Sequence, residues 1–90
     1  MAEDRQTRLR RLSMRSIRRG IREMDLILGA FSDTALESMS DADLAAYEVL
    51  LAENDHDLYR WITGQTVPPA PFAPLVERIA AVAGRQVRPL

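Results

Sequence analysis

The side chains of this 90-residue chain that could do chemistry are its carboxylates, its arginines and a single histidine, His56; it has no cysteine and no lysine. A conventional Cys/His zinc site cannot be assembled from that set. Ser40, His56 and Asp57 supply the residue types of a hydrolytic triad, but no spacing or nucleophile elbow joins them. His56 lies between Asp55 and Asp57 at a helix start, where a histidine reads as a solvated neighbour of the cap or as an interface contact. Glu23 and Asp25 are two residues apart and face different directions on a helix, which is poor geometry for a shared acid/base site. Neither a phosphate loop nor a dinucleotide fingerprint is present. What remains favours recognition over catalysis. Arg19 and Glu23 stand one helical turn apart with Gly20 between them, a spacing suited to charge-assisted hydrogen bonds with a partner. Gly20 would either let a partner's backbone approach closely or mark a break between two helices. The plainer reading of the pair is an ordinary surface contact contributing at most about 0.5 kcal/mol.

The element that must position these residues is a central amphipathic helix. On a helical wheel Ile17, Ile21, Met24, Leu28 and Phe31 form one stripe that must face a core, while Arg19 and Glu23 project opposite with Leu26 beside them. The spacing predicts a helix from Arg18 or Gly20 to about Phe31. Glycine in it costs roughly 1 kcal/mol relative to alanine, so Gly20 needs a reason other than helix stability. Before it, Leu9 and Leu12 among the arginines predict a helix over residues 4 to about 16. A short link through Ala35 to Met39 follows. Ser40 then reads as an N-cap opening a helix to about Ala52, with Leu44, Tyr47 and Leu51 inward. Asn54 or Asp55 caps a short helix carrying Leu58, Trp61 and Ile62 at core spacing, and Gly64 is placed to end it. Four of the five prolines fall between Gln65 and Pro74, an extended connector. A last helix carries Leu75, Val76, Ile79 and Val82, with Gly84 as its expected stop. The expected fold is all-α, a small five-helix bundle forming one domain over residues 1–90, with 1–7 and 85–90 as flexible ends.

Composition narrows the function further. The chain is 47% hydrophobic and 28% charged, which suits a thin-cored globular domain. No run reaches the roughly 20 apolar residues that span a bilayer, and the charged N-terminus has no apolar core of a secretory signal. The net charge of −1 hides a dipole: residues 1–22 hold eight arginines against two carboxylates, and residues 23–90 hold four against eleven. A basic amphipathic first helix can serve nucleic acid, an acidic membrane surface or an acidic protein, or can pack on the domain's own acidic remainder. Nucleic acid is disfavoured because no aromatic interleaves with the arginines.

Arg19-Gly20-Ile21-Arg22-Glu23 matches an RGxxE motif, with Arg15-Ser16 before it, Met24 to Leu28 and Phe31 after it, and Tyr47 to Leu51 further on. Asp55 to Gly64 adds a D-x-D-L-x-x-W block. Taken in order over about residues 8 to 80, the chain resembles the family of bacterial SdhE and mitochondrial succinate dehydrogenase assembly factor 2. It departs at Arg18, where related sequences often have histidine, and in its proline-rich connector. The resemblance implies a five-helix assembly chaperone, not an enzyme. It implies binding to the flavoprotein subunit of succinate dehydrogenase, often also of fumarate reductase, and promotion of covalent FAD attachment there. Arg19, Gly20 and Glu23 carry over as the contact motif, and Arg15 and Leu26 join them as candidate partner-binding residues. FAD belongs to the client, and no cofactor or metal is expected to be held by this chain. Nucleic acid and membrane insertion are not expected, and the expected location is cytoplasmic, or the mitochondrial matrix in a eukaryote. The alternative is a basic-helix module for nucleic acid or a membrane surface.

Overall fold

Three of the helices begin where a side chain takes up the amide groups that a first turn leaves unpaired. The computed structural model describes residues 3–86, with α1 over Arg5–Ser16, α2 over Arg22–Ala35, α3 over Asp41–Leu51, α4 over Asp55–Ile62 and α5 over Ala73–Gln86. Asp4 accepts from the Thr7 amide, Ser40 from Asp43, and Asn54 from His56 and Asp57. Asn54 is thus the α4 cap, which leaves the Asp55 carboxylate free for another task. Gly64 ends α4 at φ +81°, with Gln65 N–H donating to Arg60 O and Gly64 N–H to Trp61 O, the paired bonds of a Schellman stop. Gly84 does not end α5, contrary to expectation: the helix runs on to Gln86. Glycine permits the left-handed turn but does not compel it, and Gly64 is the one glycine with positive φ among the described residues. Of the ends expected to be flexible, residues 3–7 comprise the α1 cap and the first residues of that helix; 1, 2 and 87–90 lie outside the described residues.

The central helix α2 packs along α5 and α1 and buries Met24, Ile27, Leu28 and Phe31. Leu12 of α1, Leu44, Tyr47, Leu50 and Leu51 of α3, Leu58 of α4, and Leu75, Val76 and Ile79 of α5 complete the core. The link after α2 belongs to it too, as a 3₁₀ turn at Leu36–Ser38 with Leu36 and Met39 buried. Phe31 and Tyr47 meet at 5.4 Å between ring centroids. Ser16 Oγ donates to Leu12 O at 2.8 Å, so at 2.6 Å the Tyr47 hydroxyl donates to Ser16 Oγ. Burial pushes the Tyr47 phenol up to about 12.

Arg5, Arg8, Arg11 and Arg15 of α1 face carboxylates of the molecule's own acidic half. The Arg5 guanidinium reaches Met39 O, Glu37 O and Asp41 Oδ1 at 2.7, 3.0 and 3.1 Å. Arg11 bridges Glu3 and Glu48, and its guanidinium holds both carboxyls below the usual carboxylate range. The sequence dipole is therefore largely closed on itself.

Trp61 departs from its expected place among the core residues. It is half-buried and stacks at 5.8 Å on Phe72, in the 3₁₀ turn Ala70–Phe72 that leads into α5, while Leu58 and Ile62 face inward. The connector brings the Phe72 ring alongside, and Trp61 packs on it at the edge of the core. Trp61→Ala is expected to cost about 2 kcal/mol, less than the roughly 3–5 kcal/mol of a fully buried aromatic. The thermal midpoint measures it; an unchanged midpoint with weakened partner binding would make Trp61 an interface anchor instead.

Candidate partner-binding site

Residues 17–21 are not helical, and that changes how the charged motif works. Glycine disfavours a helix, and two acceptors compete for the amides a helix would need. Arg19 N–H donates to Asp25 Oδ1 and Gly20 N–H to Asp55 Oδ2, both at 2.6 Å. The chain leaves α1 at Ser16 and enters α2 only at Arg22. Arg19 and Glu23 are consequently not neighbours on one helix face, as the periodicity predicted. Ile17 and Ile21 also leave the expected core stripe: Ile17 is half exposed, and Ile21 lies partly buried as the α2 N-cap.

Arg19 turns inward. Its side chain keeps only 10% of its exposure, with Nε on Asp55 Oδ1 at 2.6 Å, Nη1 on Leu51 O at 2.7 Å and Nη2 on Glu53 O at 2.9 Å. One planar guanidinium thus ties the C-terminal end of α3, the α3–α4 turn and the start of α4 together, a task that suits arginine and not lysine. Gly20 is needed for the same junction. A Cβ there would stand 2.9 Å from Asp55 Oδ2, closer than side chains tolerate. The close approach is to this chain's own carboxylate, and the backbone needs no special φ.

Glu23 and Leu26 are the two predicted contacts that face solvent together. Both lie on the outer side of α2, Leu26 is 51% exposed, and Glu23 makes no hydrogen bond or ion pair among the described residues. They border a groove of about 270 Å³ whose walls include Ile27, Tyr59 and Ile62, with Ala80 and Ala83 from α5. Glu23 also borders a shallower depression with Ile21, His56 and Tyr59. Arg15 lies elsewhere, half-buried with Nη1 at 3.7 Å from Glu48. Of the five candidates, then, Glu23 and Leu26 are displayed, Arg19 and Gly20 form the clamp behind them, and Arg15 serves the α1–α3 contact. Asp55 and Tyr59 were not singled out. The available signal for Asp55 was redundancy: with Asn54 able to cap α4, a second side-chain acceptor at the helix start was free to do something else.

Ser40 and His56 do not combine as chemistry. Ser40 Oγ accepts from its own helix, and His56 is exposed. Among the described residues no group of three or more His, Cys, Asp or Glu side chains could hold a metal ion. The groove is smaller than the roughly 300–1,000 Å³ clefts that enclose organic ligands.

A family model, Sdh5, described as the flavinator of succinate dehydrogenase, matches residues 10–83. The chain belongs to this family. The match takes in the clamp, Glu23, Leu26 and every described element apart from the start of α1 and the end of α5. Among curated relatives of this family member, the mitochondrial succinate dehydrogenase assembly factor 2 of Meyerozyma guilliermondii is 46% identical over 61 residues, covering 68% of this chain and 45% of that protein. The protein of the same name from Mycosarcoma maydis is 36% identical over 72 residues, 80% of this chain and 30% of the relative. That of Yarrowia lipolytica is 32% identical over 91 aligned positions, 96% and 63% respectively. The chain spans less than half the length of the first two. Among the described residues of this flavinator-family chain, no helix is long and apolar enough to cross a membrane.

Proposed function

We propose that this chain is an assembly factor that binds the flavoprotein subunit of succinate dehydrogenase, and that of fumarate reductase, and promotes covalent attachment of FAD to it. One observation carries the reading: within the family-matched region, an exposed and unpaired Glu23 and an exposed Leu26 stand together beside an apolar groove, on a face whose backbone is clamped from behind. An unpaired carboxylate next to apolar surface suits a protein partner that brings a donor or a cation, since both contact types are then satisfied at once.

The contribution is positional. The assembly factor holds the flavoprotein in a minor conformation in which the isoalloxazine methyl of FAD and the attacking side chain are aligned, and so raises the population that can react. FAD is the client's substrate, and this chain supplies no residue to the bond. The site of action is wherever that client matures, the cytoplasm of a bacterium or the mitochondrial matrix. The internal pairing of Arg5, Arg11 and Arg15 weighs against a phosphate-binding first helix.

Titration of purified flavoprotein subunit with this protein, at rising salt, tests the reading alongside the appearance of acid-stable flavin fluorescence after FAD is added. A saturable complex that loses little affinity with salt, together with faster covalent flavin formation, is expected. Binding to nucleic acid or anionic vesicles that falls steeply with salt, with no effect on flavin attachment, would overturn it.

A further inference from the structure

We infer that Asp55 is a positioning residue for the partner-binding face. It acts through the segment Arg19-Gly20 and does not itself touch the partner. The inference rests on the reading that Glu23 contacts the flavoprotein.

The geometry gives Asp55 this task for three reasons. First, it is surplus to capping, because Asn54 already accepts from the first amides of α4. Second, its two carboxylate oxygens bind two successive residues of one segment: Oδ1 accepts from Arg19 Nε and Oδ2 from Gly20 N–H, each at 2.6 Å. One bond holds the Gly20 backbone and the other the Arg19 side chain, so a single carboxylate ties both to the start of α4. Third, α2 begins without a side-chain cap. Its N-cap is Ile21, which has no side-chain acceptor, and only the Ile21 carbonyl serves the amides of Met24 and Asp25. The register at which α2 starts is therefore set through the segment before it, by Asp55 of α4 on the Gly20 amide and by α2's own Asp25 on the Arg19 amide. Glu23 is three residues beyond Gly20 and in the first turn of that helix. The Asp55 side chain keeps only 16% of its exposure and both of its oxygens are engaged by these donors, so it presents little surface to a partner.

Asp55→Asn is the cleanest probe. It keeps the shape but turns one acceptor oxygen into an NH₂ group that faces an N–H donor, so one of the two bonds must break. Kd for the flavoprotein subunit is measured for the unaltered protein, Asp55→Asn, Glu23→Ala and the double variant, with circular dichroism on each. A role through Glu23 makes the two changes non-additive. Asp55→Asn is expected to raise Kd at least tenfold alone and less than twofold when Glu23 is already alanine. Amide exchange at Gly20 should quicken while that of Leu28 and Leu44 stays slow. Equal fold-losses in both backgrounds, or unaltered binding by Asp55→Asn, would overturn the assignment. Should Asp55→Asn fail to fold, Gly20→Ala pushes on the same carboxylate from the other side without changing charge, and the same cycle with Glu23→Ala decides. Unaltered binding by Glu23→Ala alone would remove the functional reading and the inference with it, a result distinct from additivity.

Discussion

Arg19→Ala is expected to lower the unfolding free energy by about 3 kcal/mol, within the range seen when one partner of a buried ion pair is removed. Three bonds go at once, to Asp55 Oδ1, Leu51 O and Glu53 O. The carboxylate left behind keeps only the Gly20 amide, with 16% of its side-chain surface open to solvent. At roughly 0.1 kcal/mol per residue the whole domain has on the order of 9 kcal/mol, so the loss is a large fraction of it. Arg19→Lys should fall between, because an ammonium can hold one or two of these acceptors but cannot span the fork. Urea unfolding of the three proteins, read by circular dichroism, measures this. An Arg19→Ala protein within about 0.5 kcal/mol of the original would return Arg19 to the exposed, partner-facing role its sequence spacing suggests.

Gly20→Arg and Glu23→Ala are expected to lose function by different routes. In Gly20→Arg the new Cβ would lie 2.9 Å from Asp55 Oδ2, so the carboxylate must shift and both of its bonds weaken. A cost of about 1–3 kcal/mol follows, typical of a side chain forced into occupied space. No gain in helix propensity offsets it, because Gly20 lies outside α2. Glu23→Ala removes an exposed carboxylate that makes no internal bond, and stability should stay within about 0.5 kcal/mol. Both variants should nevertheless slow the appearance of covalent flavin by tenfold or more in a strain lacking the native protein. The pair separates the two parts of the motif: Gly20→Arg should lower the melting midpoint along with activity, and Glu23→Ala should lower activity alone. Full flavinylation by folded Glu23→Ala would exclude this carboxylate from the contact, and an unaltered midpoint for Gly20→Arg would show that Asp55 yields without cost.

Much of the architecture was legible because it is set locally. Ser40 and Asn54 announce their helices by acceptors that reach two or three residues, and Gly64 ends α4 by bonds within one turn. The inward faces of Met24, Leu28 and Phe31, and of Leu44, Tyr47 and Leu51, follow from a period of 3.6 residues. The ordered motif carried the family, and helical spacing put Glu23 and Leu26 on an outward face. The break between Ser16 and Arg22 was open as one of two readings of Gly20; tertiary structure chose it. The acceptor that draws Gly20 N–H out of a helix is Asp55, 35 residues away, and periodicity carries no information about a donor's distant competitor. The same contact turns Arg19 inward, where a wheel drawn from sequence leaves it exposed. Trp61 and Gly84 were decided likewise, one by the Phe72 ring that the proline connector brings alongside, the other by helix continuing where glycine allowed a stop but nothing required it. Local chemistry determined the elements and the exposed half of the motif; packing between elements decided that its other half is the clamp beneath.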